Sequence, residues 1–103
     1  MKRKKERHRA KRVEIFCFAP DAQQVFLAGT FNEWDPSRAT MSKGEGGIWR
    51  VTLRLPIGSY EYKFVVDGKW VCEPGVDERD PKLVGSPDYV PNVYGTMNRK
   101  LDV

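Results

Sequence analysis

The fold is decided by residues 48–72, which read IWRVTLRLPIGSYEYKFVVDGKWVC. Apolar and polar residues alternate along Ile48–Leu55 and again along Ser59–Val66, so each segment presents one apolar face, as a half-buried β-strand does. A Pro-Ile-Gly turn separates the two segments. Asp67-Gly68 is a strong signal for a two-residue hairpin, and Lys69–Cys72 follows as the returning strand. These residues therefore predict three consecutive antiparallel strands.

Apolar and polar residues also alternate on both sides of residues 48–72. Arg12–Phe18 alternates and ends at an Ala-Pro-Asp turn, and Gln24–Ala28 is a short apolar run closed by a glycine. Residues 73–91 hold four prolines and two glycines, which predicts a long surface loop, and a last strand is expected around Asn92–Tyr94. No segment shows a useful amphipathic helical stripe. Six or seven short strands with regular turns predict an all-β domain, an immunoglobulin-like sandwich of two antiparallel sheets.

Charge is placed unevenly along the 103 residues, a length that fits one domain. Residues 1–12 hold eight Lys/Arg and one Glu and have almost no apolar content, so we expect a disordered basic arm there. Residues 13–103 hold ten Lys/Arg against thirteen Asp/Glu, so the predicted sandwich itself is mildly acidic. This balance argues against a basic nucleic-acid-binding face on the domain.

Cysteine usage and hydropathy predict the cellular compartment of the chain. Cys17 and Cys72 are too few for a disulfide scaffold, and neither has a second Cys or a His at metal-ligand spacing. The basic N-terminal residues lack the apolar stretch of a secretory signal peptide, and no run reaches the length of a membrane span. We therefore expect a soluble, reducing, cytoplasmic setting.

Residues that usually carry catalysis are sparse. The single histidine, His8, lies in the basic arm, and the chain has no Ser-His-Asp or Cys-His arrangement and no phosphate-binding glycine loop. Glu33 and Asp35 lie close enough to suggest paired carboxylates, but Asp35 precedes Pro36, where an aspartate favours a turn or a cap. We predict that the chain is not an enzyme and uses no cofactor or metal.

The three tryptophans differ in their surroundings. Trp49 is in phase with the apolar face of its strand and is predicted to be core. Trp34 lies in the polar, turn-rich run TFNEWDP, and Trp70 directly follows the predicted hairpin turn. A large ring at a loop position needs either a buried niche or a ligand, so both core and binding site stay open for these two residues.

Carbohydrate suits such rings for a physical reason. A glucose ring presents a patch of C–H bonds that packs on the negative face of an indole, and its hydroxyls need polar partners around the ring edge. Lys63 is one candidate partner, since it lies on the face of its strand opposite the predicted core residues Tyr62 and Phe64. An ordinary solvated lysine is the alternative interpretation.

Three runs at these positions carry a family resemblance: VFLAGTFNEW at 25–34, WRVTLRLPIG at 49–58 and YEYKFVVDGKW at 60–70. In this order and at this spacing they resemble the family 48 carbohydrate-binding modules. That family includes the glycogen-binding domain of AMP-activated protein kinase β subunits and the N-terminal modules of isoamylases and glycogen-branching enzymes. The resemblance covers about residues 13–94 and implies non-catalytic binding of α-1,4-linked glucans such as glycogen or starch.

The resemblance also implies roles for individual residues. The tryptophans of the F-N-x-W loop and the D-G-x-W hairpin, Trp34 and Trp70 here, stack on consecutive glucose rings, and the lysine of the Y-K-F strand, Lys63, bonds sugar hydroxyls. The family's clasping loop with its Gly-x-x-Asn-type segment is built differently here, so Asn92 is the candidate for the asparagine. Candidates for the contacting and clasping positions are Pro91, Leu83 and Tyr89.

Two other functions stay open. Members of the family also serve as docking surfaces for kinase or glycan-active enzyme partners, so a protein-interaction module with weak or lost sugar binding is the main alternative. The basic arm could also contact nucleic acid or an anionic membrane with strongly salt-dependent binding. A solubilising or linker role is the simpler interpretation of that arm.

Overall fold

The computed structural model describes residues 10–103 and shows two antiparallel sheets. The strands are β1 (Ala10–Phe18), β2 (Val25–Gly29), β3 (Ser42–Lys43), β4 (Ile48–Pro56), β5 (Ser59–Val66), β6 (Lys69–Val71), β7 (Tyr89–Pro91) and β8 (Met97–Asp102). Three strands form one sheet in the order β1-β4-β3, and five form the other in the order β2-β5-β8-β7, with β6 also paired to β5. Short 3₁₀ turns occur at Thr30–Asn32, Pro36–Arg38, Glu45–Gly47 and Pro81–Leu83. The predicted all-β sandwich is confirmed.

The core lies between the two sheets. β1 and β4 pair along their whole length, which sets Cys17 opposite Trp49 on the inner face. Leu27 and Phe64, paired across β2 and β5, face them from the other sheet and are almost fully buried. Trp49 is 6% exposed, and its indole N–H donates to the Ala19 carbonyl at 2.8 Å, which satisfies the one polar atom of the ring. The prediction that Trp49 is a core residue is confirmed.

The N-terminal boundary of the sandwich differs from the prediction. β1 begins at Ala10, and Lys11 and Arg12 pair with β4, so the last three residues assigned to the basic arm belong to the strand. Strand pairing satisfies backbone groups whatever the side chain, and long charged side chains keep their heads in water. The rest of the arm prediction, on residues 1–9 with His8, lies outside the described residues.

The C-terminal strands also differ from the prediction. The strand expected at Asn92–Tyr94 is wrong, because these residues connect β7 to β8. Sequence patterning misses β8 because its residues, MNRKLD, show little apolar alternation; the strand forms because β5 and β7 pair with it. The predicted loop at residues 73–91 is shorter than expected, because Tyr89–Pro91 form β7 by pairing with β8. The remaining loop runs from β6 to β7 and contains the 3₁₀ turn at Pro81–Leu83.

The predicted hairpin between β5 and β6 is confirmed in detail. Asp67 and Gly68 have φ of 48° and 84°, the two positive values that a type I′ turn requires. The Asp67 carboxylate also accepts the backbone N–H groups of Gln23 and Gln24 at 2.9 and 2.8 Å. The turn that precedes Trp70 is therefore tied to the chain that enters β2.

Candidate functional site

A groove of about 1000 Å³ lies beside β5 on the face of the larger sheet that is turned away from the core. Its lining residues come from the loop after β2, from β5, from β6 and from the β7–β8 connection: Trp34, Glu61, Lys63, Trp70, Pro91, Asn92, Val93, Tyr94, Thr96 and Asn98. All four predicted site residues, Trp34, Lys63, Trp70 and Asn92, belong to this one groove. Fold topology thus brings together residues separated by up to 58 positions in sequence.

Trp34 is held in the groove by a strained turn. Glu33 and Trp34 have φ of 58° and 59°, a left-handed conformation that costs a non-glycine residue roughly 1–3 kcal/mol. The turn is secured by Asn32, whose side chain accepts from the Gly29 N–H at 2.9 Å and donates to the Leu27 carbonyl at 3.1 Å. Because of this turn, the Trp34 indole is half-buried at the groove and does not enter the core.

Gly29 allows this turn to lie against β5. A Cβ atom at Gly29 would stand 2.5 Å from the Glu61 carbonyl and 2.7 Å from the Phe31 ring, closer than any real contact. The backbone of the tryptophan loop can therefore approach β5 only when no side chain is present. The glycine of the FLAGTF run has a steric function at this site.

Glu33 and Asp35 do not form a catalytic pair. The Asp35 carboxylate caps the turn at Pro36–Arg38 by accepting from the Ser37 N–H at 3.0 Å and the Ser37 hydroxyl at 2.7 Å. These hydrogen bonds hold the pKa of Asp35 below its usual value. Both carboxylates also contact Arg38, and neither lines the groove. The prediction that Asp35 is a turn residue is confirmed.

Trp70 is 45% exposed on β6, immediately after the type I′ turn. It pairs with Val65 of β5, which places it on the same face of the sheet as Lys63. A flat apolar ring is therefore presented to solvent from a short, tightly anchored hairpin. The loop to β7 does not cover it.

Lys63 is buried, which excludes the solvated lysine considered from the sequence. Its side chain is 9% exposed, and its ammonium donates to the Glu78 carboxylate at 2.8 Å and to the Thr96 hydroxyl at 3.1 Å. An ammonium carries three N–H donors, so one remains after these two bonds. Lys63 also lines the groove, and its contact with a ligand stays a prediction.

Asn92 shapes the β7–β8 connection. Its side-chain Oδ1 accepts the backbone N–H groups of Tyr94 and Thr96, and its side-chain Nδ2 donates to the Thr96 hydroxyl and to the Asn98 Oδ1. The turn leaves Val93 and Tyr94 almost fully exposed at the rim of the groove. Asn92 thus supports the rim, and its direct contact with sugar stays a prediction.

The structure adds groove residues that the sequence interpretation missed. Pro91, the alternative to Asn92 at the contacting position, lines the groove. The two clasp candidates, Leu83 and Tyr89, do not, and Val93 and Tyr94 form the rim instead. Asn98 also lines the groove, and the Gly-x-x-Asn spacing named above is present at residues 95–98, which read GTMN. That spacing was the available signal for Asn98, which lies six positions beyond Asn92, where the asparagine was sought.

A continuous chain of hydrogen bonds forms the polar floor of the groove. Glu61 accepts from the Asn98 amide at 2.9 Å, Asn98 accepts from Asn92 at 3.0 Å, and Asn92 contacts the Thr96 hydroxyl at 2.8 Å. Thr96 then accepts from Lys63, which completes a path from one end of the floor to the other. Such a network holds its members in one geometry because each would lose a buried hydrogen bond by moving.

Comparison with known proteins identifies the family of the chain. The family described as the glycogen recognition site of AMP-activated protein kinase matches residues 13–83. The chain belongs to this family. The matched range contains three of the predicted site residues, Trp34, Lys63 and Trp70, while Asn92 and the rim lie beyond it. The description of the family names a recognition site.

Individual relatives of this chain come from different proteins. It is 30% identical over 92 residues to the 5'-AMP-activated protein kinase subunit beta-1 of Sus scrofa, covering 89% of this chain and 64% of that sequence. It is 40% identical over 77 residues to the 1,4-alpha-glucan branching enzyme GlgB of Lactobacillus acidophilus, covering 67% and 12%. It is 43% identical over 53 residues to Protein PTST homolog 2, chloroplastic, of Arabidopsis thaliana, covering 52% and 10%. The chain thus spans less than two thirds of the length of each of these relatives.

Two further features bear on the module's chemistry and setting. Among residues 10–103, no group of three or more His, Cys, Asp or Glu side chains is placed to hold a metal ion. No helix in the same range is long and apolar enough to cross a membrane. One relative is named as chloroplastic, so the cytoplasmic setting stays a prediction.

Proposed function

We propose that this module binds α-1,4-linked glucans without catalysing their conversion, and that Trp34 and Trp70 are the stacking surfaces. The observation that carries the proposal is that two indoles, the half-buried Trp34 and the 45% exposed Trp70, line one groove whose floor is polar. Aromatic surface that gathers in one groove, rather than being scattered singly, is typical of a ligand-binding site. The family match supports glycogen or starch-like glucans as the ligand class.

The floor supplies the polar half of the site. Sugar hydroxyls lose hydrogen bonds to water on stacking and must regain them from the protein. Lys63 has one free N–H donor, and Thr96 and Asn98 line the same floor within its hydrogen-bond network. A charge-assisted bond from the Lys63 ammonium would be the strongest of these contacts.

The rim supplies the closing contact. Val93 and Tyr94 project from the turn that Asn92 holds in place, and both line the groove while remaining exposed. Tyr94 therefore takes the clasping position against a bound glucan. Affinity is expected to be modest, on the order of micromolar to millimolar, because a shallow open site yields only a few kcal/mol of net binding free energy.

The test is a calorimetric titration of the module with maltoheptaose and, in parallel, with cellohexaose. Successive glucoses of an α-1,4 chain are turned relative to each other, so the curved chain can meet two separate rings, whereas a flat β-1,4 chain cannot follow the groove. We expect saturable binding of maltoheptaose and of glycogen and no measurable binding of cellohexaose. Equal affinity for the two oligosaccharides, or no binding of either, would contradict the proposal.

A second candidate function is docking of a protein partner, and a separate surface favours it. Phe16 and Phe18 of β1 are exposed on the outer face of the three-stranded sheet, where Phe18 pairs with the exposed Ile48. Arg50 and Arg54 lie on the same face of β4. This surface fits a protein that presents apolar side chains beside carboxylates, and the beta-1 relatives suggest a kinase as that protein.

The docking function has its own test. Association with the kinase of those relatives would be measured for the wild-type module, for a Phe16→Ser/Phe18→Ser variant and for Trp70→Ala. Docking through the three-stranded sheet predicts loss of association in the double serine variant and unchanged association in Trp70→Ala. The reverse result would assign any association to the groove, and no association with wild-type protein would remove this candidate.

A further inference from the structure

The larger sheet is split beside β5, at the floor of the groove. Residues Ser59–Tyr62 of β5 pair with β8, and Phe64–Val66 pair with β6 on the same side. Lys63 stands between these two ladders, and its strand partner in the sheet is Ala28 of β2 on the opposite side. The end of β6 and the start of β8 therefore meet next to Lys63 without pairing with each other.

Glu78, from the loop after β6, fills this split. One carboxylate oxygen accepts the backbone N–H of Cys72, the first residue past β6, at 3.0 Å. The other accepts the backbone N–H of Met97, the first residue of β8, at 3.2 Å and the Lys63 ammonium at 2.8 Å. A single side chain thus replaces the missing ladder bonds and joins the three strands that carry Lys63, Trp70 and the rim.

The charge on Glu78 is stable in this position. Its side chain is 12% exposed, and burial acts to raise its pKa, but the hydrogen bonds from Lys63, Cys72 and Met97 outweigh that effect and hold the pKa below its usual value. Without this carboxylate, the Lys63 ammonium would be a buried charge with only a hydroxyl as partner, which proteins tolerate poorly.

We propose that Glu78 is a positioning residue for glucan binding: it orients the Lys63 ammonium so that one N–H faces the groove, and it sets the separation between the Trp70 strand and the rim. The inference rests on the proposed function and adds a residue that lines no part of the groove. Glu78 acts through Lys63 and through two backbone amides, so it needs no contact with the sugar.

The test is a double-mutant cycle on Lys63 and Glu78, measured by calorimetric titration with maltoheptaose. Wild type, Glu78→Gln, Lys63→Met and the double variant are compared, each first shown by urea unfolding to be folded at the titration temperature. We expect Glu78→Gln to raise Kd about tenfold, as loss of one hydrogen bond to a charged group does. In the Lys63→Met background, Glu78→Gln should raise Kd little further, because the partner through which Glu78 acts is already gone.

A matched control comes from the same loop. Glu73 makes an ion pair with Arg99, and neither residue lines the groove. Glu73→Gln is therefore the same chemical change on a neighbouring paired carboxylate, and we expect it to keep the wild-type Kd. A tenfold rise in the Kd of this control would show that loss of any paired carboxylate from the loop weakens binding, and it would overturn a specific role for Glu78.

Stability and binding separate positioning from a merely structural role. Replacing both charges removes the uncompensated ammonium, so the double variant should be more stable than Glu78→Gln while its binding stays weak. A folded Glu78→Gln variant with wild-type Kd would overturn the positioning proposal and leave the glucan proposal standing. The same conclusion would follow if the losses of binding free energy in Glu78→Gln and Lys63→Met added in full in the double variant. Wild-type protein that ignored maltoheptaose would overturn both.

Discussion

Replacing Trp70 by alanine removes one proposed stacking surface and leaves the core between the sheets intact. An indole of about 250 Å² that is 45% exposed presents roughly 110 Å² of apolar surface to solvent. Covering all of it at about 25 cal/mol per Å² would contribute about 2.8 kcal/mol to binding, and a sugar lying on one face covers about half. We therefore expect Kd for maltoheptaose to rise between about 10-fold and 100-fold.

The assay for Trp70→Ala is isothermal titration at constant salt, with two controls chosen from the structure. Phe16→Ala removes an exposed aromatic from the three-stranded sheet, remote from the groove, and should leave Kd unchanged. Trp49→Phe alters the core, so it should lower stability and leave Kd of the folded protein unchanged. A change in Kd of less than about twofold in Trp70→Ala, or an equal rise in Phe16→Ala, would refute the stacking argument and the surface estimate behind it.

Three further predictions follow from local geometry. Gly29→Ala should lower the free energy of unfolding by about 1–3 kcal/mol in urea titrations, because its Cβ would meet the Glu61 carbonyl at 2.5 Å; a neutral change would contradict the close approach. Burial acts to raise the pKa of Glu78, but the hydrogen bonds from Lys63, Cys72 and Met97 outweigh burial and hold this pKa below its usual value, so the contribution of Glu78 to stability is complete above the unfolded-state pKa and is lost as pH falls through the folded-state pKa. Urea midpoints between pH 3 and about 5 should therefore fall more steeply for wild type than for Glu78→Gln, and parallel slopes would contradict this assignment. Burial raises the pKa of the Cys17 and Cys72 thiols to about 11, so iodoacetamide at pH about 8 should label them only after unfolding, whereas rapid labelling of the native protein would show that the thiols are accessible.

The site was predictable from sequence where its residues stand beside strong local signals. Trp70 follows an Asp-Gly turn whose conformation is determined by two adjacent residues, so its place at a hairpin end could be inferred. Trp34 lies in a run of turn-forming residues, which indicated a loop. For both rings, local pattern left core and surface open, because the exposure of a loop residue depends on which other segments cover it.

The part of the groove that escaped prediction depends on partners distant in sequence. The burial of Lys63 could not be predicted, because its ammonium is paired with Glu78, fifteen residues away, and with Thr96, thirty-three residues away. β8 has little apolar alternation of its own and becomes a strand because β5 and β7 supply hydrogen bonds on both sides. Asn98 was missed for a different reason: the GTMN spacing at residues 95–98 was present in the sequence, but a strand was expected at Asn92–Tyr94 and the asparagine was assigned to Asn92.

The amino-acid sequence by itself determined the period of two, the turn positions and the family motifs, and with them an all-β sandwich with two candidate rings. These features depend on neighbouring residues, whose alternation and turn chemistry act over a few positions. Only the tertiary structure decided that the rings share one groove, that Lys63 is buried and paired, and that a single carboxylate joins a split sheet. Those outcomes depend on burial and hydrogen bonding between segments that only folding brings into contact.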